Sequence, residues 1–205
     1  MNTGGPIIFW DVDTQIDFLF PEGRLYVPGG EQIIPNLHRL TSFARDRKIP
    51  LISTACAHPP GDPEFDVYGE HCVVGTPGQQ KVAETLLPRR LIVPYRKFKL
   101  PADLSDYDQV IVEKEKLDVF TNPNTDDLLR LFPASAGVVV YGVVTEICVK
   151  NAALGLLKSG RRVELVTDAV CSLDDAKCAQ FLQEFAAAGG KVTTVQEITR
   201  NFVAA

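Results

Sequence analysis

Short β-branched runs separated by helix-period segments constrain this chain most. Residues 7–10, 50–53, 110–112, 138–141, 163–166 and 192–195 are such runs, and four of the six are almost entirely apolar. Strands covered on both faces read this way, because neither face meets water. The first connection carries Ile33, Ile34, Leu37, Leu40, Phe43 and Ala44 at helical spacing. Residues 146–158 and 174–188 repeat the pattern, the latter with Cys178, Phe181, Leu182 and Phe185 on one face. Strand and helix alternate throughout, which predicts a three-layer α/β/α fold around a mainly parallel six-stranded sheet. The 205 residues suit one domain over 1–205.

Irregular sequence is concentrated in two places. Residues 59–78 hold Pro59, Pro60, Pro63 and the Gly75-Thr76-Pro77-Gly78 cluster, which forbid a long regular element. A loop of that length in a compact domain is usually functional. Residues 87–108 are broken by Pro88, Pro94 and Pro101, leaving room for a short strand near Leu91-Ile92-Val93. A net charge of -5 offers no basic excess for phosphate backbones, which argues against a nucleic-acid partner. No run approaches the roughly 20 apolar residues of a membrane span, and the N-terminus shows no basic, apolar leader, so a cytoplasmic protein without membrane contact is expected. Five cysteines at irregular spacing fit a reducing compartment better than a disulfide framework.

Open parallel sheets bind ligands outside the carboxyl ends of their strands. Asp13 follows the first run, Cys56 and His58 the second, Lys114 the run at 110–112, and Cys148 the run at 138–141. Taken singly, each has a bland reading: a buried thiol, a loop carboxylate, a solvated lysine in Glu113-Lys114-Glu115-Lys116. Their convergence on one edge of the sheet weakens it. With Thr145 capping the following helix, Cys148 would sit in its first turn, where N–H groups favour a thiolate. Asp11 and Asp17 compete with Asp13 for any acidic role, and strand alternation puts Asp11 and Asp13 on the same face.

Three segments together carry a family resemblance. Asp13-Thr14-Gln15-Ile16-Asp17-Phe18 resembles the D-x-Q-x-D-F signature of the isochorismatase-like hydrolases. Glu113-Lys114 followed by Asp118-Val119-Phe120 resembles their lysine segment, and Gly142-Val143-Val144-Thr145-Glu146-Ile147-Cys148-Val149 their G-x-x-T-x-x-C-V loop. The resemblance implies Cys148 as nucleophile, Asp13 rather than Asp11 as acid/base, and Lys114 rather than Lys116 beside them. It also implies a cis peptide at Val143-Val144 and an oxyanion hole from the Val144 and Cys148 amides.

Nicotinamidases of this family carry a metal triad from D-x-H after the second strand and a histidine in H-C-x-x-G-T-P-G. Here the latter is intact from His71 to Gly78, whereas the former reads Cys56-Ala57-His58. Cys56, His58 and His71 are therefore candidate ligands of one divalent metal, zinc by softness, unless loss of the aspartate has abolished the site. No organic cofactor is expected, and His38 reads as structural. Phe18 and Tyr68 either wall an aromatic substrate pocket or belong to the core. The implied reaction is hydrolysis of a small carboxamide through a thioester, nicotinamide to nicotinate first, with an N-carbamoyl or other small amide as the alternative. A catalytically silent binding homologue is the reading from another class. A homo-oligomer, dimer or tetramer, is expected.

Overall fold

The computed structural model describes residues 5–201; Met1 to Gly4, part of the stretch read above for a leader, lie outside the described residues. Seven parallel strands form one sheet: β1 (Ile7–Val12), β2 (Leu51–Cys56), β3 (Arg90–Val93), β4 (Gln109–Lys114), β5 (Gly137–Val143), β6 (Val163–Cys171) and β7 (Lys191–Thr193), in the order β3-β4-β2-β1-β5-β6-β7. The expected six become seven because the short segment between Pro88 and Pro94 is a strand. β3 lies at the sheet edge, where Leu91 and Val93 are buried and Ile92 is exposed. An edge strand needs only one ladder, so flanking prolines are tolerated.

Helices cover both faces. On one side α2 (Gly30–Arg47) buries Ile33, Leu37, Leu40 and Ala44 against Phe9, Leu51 and Val139. It follows α1 (Ile16–Leu19), a single turn behind β1, and precedes α3 (Phe65–Tyr68) in the long loop. On the other side α4 (Thr125–Arg130), α5 (Lys150–Lys158) and α6 (Asp175–Ala187) set Leu128, Leu156, Phe181 and Phe185 against Val138, Val140 and Leu165. Asp174 caps α6 by accepting from the amides of Ala176 and Lys177 at 3.0 Å each. Among the described residues no helix is long and apolar enough to cross a membrane.

Two boundaries differ from the sequence reading. The run at 192–195 is not all strand: β7 ends at Thr193 and Val195 opens α7 (Val195–Asn201). Thr194 and Glu197 form a reciprocal cap, the Thr194 amide donating to Glu197 Oε2 at 3.0 Å and the Glu197 amide to Thr194 Oγ1 at 3.2 Å. That capping box is a T-x-x-E helix start, and it overrides the β-branched composition. Nor does Thr145 cap the helix after β5. Val144 holds that position, and a wide turn over Thr145–Val149, closed by Val149 N–H to Val144 O at 3.1 Å, precedes α5. The buried Thr145 hydroxyl has no hydrogen-bond partner among the described residues.

Candidate active site

The carboxyl ends of β1, β2, β4 and β5 bring the reactive side chains together. Cys56 and Lys114 end adjacent strands as register partners, and Val12 is paired with Gly142 on β5. Gly142 has φ +116°, and a Cβ there would stand 2.1 Å from the Val12 carbonyl oxygen. Only glycine lets β5 pass this close to the strand that delivers Asp13. The Val143-Val144 peptide that follows is cis.

Asp13 turns off β1 with φ +48°. Its carboxylate accepts from Thr54 Oγ1 at 2.6 Å and from Lys114 Nζ at 2.9 Å, and its amide donates to the Thr54 carbonyl at 3.2 Å. Lys114 Nζ also lies 3.5 Å from Cys148 Sγ and 3.0 Å from Cys56 Sγ. One ammonium thus touches a carboxylate and two sulfurs, all buried.

The other candidates from the sequence fall elsewhere. Asp11 accepts from Thr14, Ser53 and buried Lys81, the last at 3.0 Å, in a closed polar network under the sheet. Asp17 accepts from the amides of Cys72 and Arg24 at 2.6 and 3.1 Å and so fixes the loop. Lys116 has a half-exposed side chain 3.8 Å from Asp62. His38 is exposed on α2, with Nδ1 3.4 Å from the Glu84 carbonyl.

Burial pushes the Asp13 carboxyl above its usual range, and the neighbouring Cys56 sulfur pushes further against the pull of Lys114 and Thr54. Burial works against charge on Lys114, but Asp13, Cys148 and Cys56 outweigh it and hold the ammonium well above its usual range. The thiolate expected at Cys148 is not what this environment favours. Burial drives that thiol well up, and Asp13 adds to this while Lys114 opposes it. Cys56 is the lowered thiol, through hydrogen bonding from Cys72 and then, against burial, through Lys114, His58 and His71.

Beside this trio lies a second cluster. The ligand atoms of Cys56, His58 and His71 are all within 4.8 Å of one another, and all three residues are buried. Asp62 Oδ2 lies 3.1 Å from His58 Nδ1 and the Gly69 carbonyl 2.8 Å from His71 Nδ1, so both rings are anchored through Nδ1. His58 Nε2 is buried with no hydrogen-bond partner among the described residues, and Glu64 Oε1 lies 3.8 Å from it. A buried imidazole nitrogen without a partner, facing a thiol and a second imidazole, is what a borderline-soft cation would satisfy, so the residues present fit a metal. Gly78 closes the loop against Asp17, where a Cβ would meet Oδ1 at 2.2 Å.

Phe18 packs on His71 at 5.6 Å between ring centroids, while Phe65, not singled out by sequence, packs on His58 and His71 at 5.5 and 5.8 Å. Tyr68 sits half-buried at the end of α3. Gln15 was read only as a motif letter. Its amide donates to the Cys56 and Gln79 carbonyls at 2.8 and 2.7 Å and its oxygen accepts the Cys56 amide at 2.8 Å, clamping β2 to the loop. Thr54 and Asp62 carried no signal in an apolar strand and a proline-rich loop. A separate cavity of about 640 Å³ opens at the opposite, amino-terminal ends of β2 and β4, lined by Leu51, Leu87, Tyr107 and Phe132 among others. It holds none of the candidate catalytic or ligand residues, and the buried cluster at the carboxyl ends is the better candidate for chemistry.

Solved structures share this architecture. An isochorismatase-like hydrolase from Alkaliphilus metalliredigens superposes with a TM-score of 0.78 at 26% identity, over 96% of this chain and 98% of that one. The pyrazinamidase of Pyrococcus horikoshii, solved in complex with zinc, gives 0.75 at 28% identity over 93% and 99%. N-carbamoylsarcosine amidase from Thermoplasma acidophilum gives 0.75 at 23% identity over 94% and 98%, a likeness of fold. No curated protein matches the sequence. The model of the isochorismatase domain matches residues 8–197, most of the described sheet and its helices. The chain belongs to the isochorismatase family and is a hydrolase.

Proposed function

We propose that the protein hydrolyses a small carboxamide through a thioester on Cys148, with nicotinamide as the first substrate to test. The observation that carries this reading is the buried ammonium of Lys114, 2.9 Å from the Asp13 carboxylate and 3.5 Å from the Cys148 sulfur. A thiol held protonated by burial needs a base in the same cavity, and a carboxyl pushed upward by burial suits that task. Asp13 takes the Cys148 proton as the sulfur attacks the carbonyl carbon. The tetrahedral oxyanion is stabilised by the Val144 and Cys148 amides, and Asp13 returns the proton to the departing ammonia. Water then attacks the thioester carbonyl, Asp13 accepting its proton; the C–S bond breaks, the acid leaves, and Asp13 returns the proton to the Cys148 sulfur. Lys114 keeps the carboxylate in line and balances the charge that moves between Asp13 and Cys148.

Cys56, His58 and His71 would hold the metal, zinc in preference to manganese or magnesium because one donor is a thiolate. When bound, a metal there supplies a Lewis-acid position for a pyridine nitrogen. Phe18, tilted against His71, and Phe65, edge-on to both histidines, supply apolar surface for the ring. Tyr68 remains a candidate wall residue. The zinc complex of the related pyrazinamidase supports this metal and this substrate class. Five free thiols support a reducing, cytoplasmic setting, and a homo-oligomer belongs to the same proposal.

Ammonia release from nicotinamide, pyrazinamide, N-carbamoyl amides and small aliphatic amides tests the reading. Turnover of the pyridine amide well above the others is expected. An aldehyde analogue should modify Cys148 and none of the other four cysteines. Labelling centred on Cys56 or Cys72, or no amide turned over at all, would overturn it.

A further inference from the structure

We propose that Lys114 serves two sites at once: besides standing between Asp13 and Cys148, its ammonium hydrogen-bonds the Cys56 sulfur and tunes the metal that Cys56 holds with His58 and His71. This rests on the reading of Cys56 as a ligand. Three observations lead to it. The Lys114 Nζ to Cys56 Sγ distance, 3.0 Å, is shorter than the 3.5 Å to Cys148 Sγ, so the lysine lies at least as close to the ligand sulfur as to the nucleophile. The two residues are directly opposed across the parallel ladder, Cys56 against Lys114, so the contact is set by backbone register rather than by a flexible side chain reaching across a cavity. Both are buried, Cys56 at 2% and Lys114 at 1% exposure, so no water screens the pair.

A hydrogen bond from a cation to a metal-bound thiolate draws electron density away from sulfur. It weakens donation to the metal and raises the energy needed to move an electron from sulfur to metal. A carboxylate ligand at this position has no such optical signature; the cysteine makes the coupling measurable. The physical consequence is that the reacting trio and the metal cluster share one charge, and a change at Lys114 is felt in both.

Cobalt(II) added to metal-free protein is the probe, and absorption is the readout, independent of turnover. A near-ultraviolet sulfur-to-cobalt band is expected in the parent and in Cys72→Ser, and is lost in Cys56→Ser. In Lys114→Met the band should move to longer wavelength, while in Lys116→Met it stays at the parent position. Should Lys114→Met not fold, Lys114→Gln carries no charge and its shorter amide falls short of the sulfur, so the same shift is expected there. A band unmoved in the folded Lys114 variants overturns the coupling and leaves the metal reading standing. No band in the parent protein sinks the metal reading, and the coupling with it.

Discussion

The Asp13, Lys114 and Cys148 trio and the Cys56, His58 and His71 cluster meet at Lys114 and Cys56 but are built differently. Two of the trio sit on or next to paired strands: Lys114 ends β4 opposite Cys56 of β2, and Asp13 follows β1, which is paired with β2 on one side and β5 on the other. Cys148 follows β5 in a turn closed on Val144. The cluster takes only Cys56 from a strand. His58 lies just past β2, and His71 comes from the long loop, held by the isolated bridge between His58 and Val73 and by the Cys72 amide on Asp17. Strand ends fix atoms through many cooperative hydrogen bonds, whereas a loop fixes them through a few. Chemistry that tolerates no misplacement is expected on the first kind of support, and ligand tuning on the second.

The sharpest break between the two regions is expected at Cys148. Cys148→Ala should lower amide hydrolysis on the order of a thousandfold or more, since the covalent acceptor is gone. Metal content should be unchanged, because the residue lies outside the cluster. Retention of more than about a few per cent of parent turnover would show that the thiol is not the nucleophile.

Next in size is the lysine pair. Lys114→Ala removes a buried partner of Asp13 and both sulfurs, and a loss of about a hundredfold or more in kcat is expected. Lys116→Ala removes a half-exposed charge 3.8 Å from Asp62 and should stay within about a few-fold of the parent. Equal losses in the two variants would mean that position on the strand end does not decide the role.

The same contrast governs what the sequence could disclose. Apolar runs placed strand ends at one edge of the sheet, but the choice of Asp13 over Asp11 and of Lys114 over Lys116 came from the family resemblance, because strand alternation puts Asp11 and Asp13 on one face. The resemblance also singled out Cys56, His58 and His71, whose potential ligand atoms lie within 4.8 Å of one another. What lay outside reach was support from residues distant in sequence. Thr54 bonds Asp13 across 41 positions from inside an apolar strand, and Phe65 reaches both histidines from a proline-rich loop with no periodicity. Nor could a helix-dipole argument foresee that burial would outweigh the pull of Lys114 at Cys148. The short strand allowed near Leu91-Ile92-Val93 is β3, left out of the expected six because it is too short for a pattern, whereas the Thr194-Glu197 cap was masked by β-branched neighbours.

For the cluster, elemental analysis of protein purified without added metal should give close to one equivalent of zinc. Cys56→Ser should lose most of it, since a serine hydroxyl is a poor ligand at neutral pH. Less than about a tenth of an equivalent of any transition metal in the parent, with activity undiminished by chelator, would count against the site and would weaken nicotinamide as substrate.

The smallest effect tests whether a loop-borne ligand depends on its own support. Asp62 Oδ2 sits 3.1 Å from His58 Nδ1, with both side chains almost fully buried, and Asp62 Oδ1 accepts the Glu64 amide at 2.8 Å. The carboxylate therefore does two things: it orients the imidazole with Nε2 toward Cys56 and His71, and it pins the turn that leads into α3. Removing a carboxylate behind a ligating histidine usually costs about 10- to 100-fold in metal affinity. Asp62→Ala is expected to fall in that range by competition with a chromophoric chelator, while Asp62→Asn, which retains an acceptor for the ring N–H, should recover much of the difference. Neither variant touches Asp13, Lys114 or Cys148. In the metal-free protein the aldehyde analogue should therefore trap Cys148 at the parent rate. A trapping rate that fell together with metal affinity would mean that the loop and the strand ends act as one rigid unit, and the distinction between the two kinds of support would be lost.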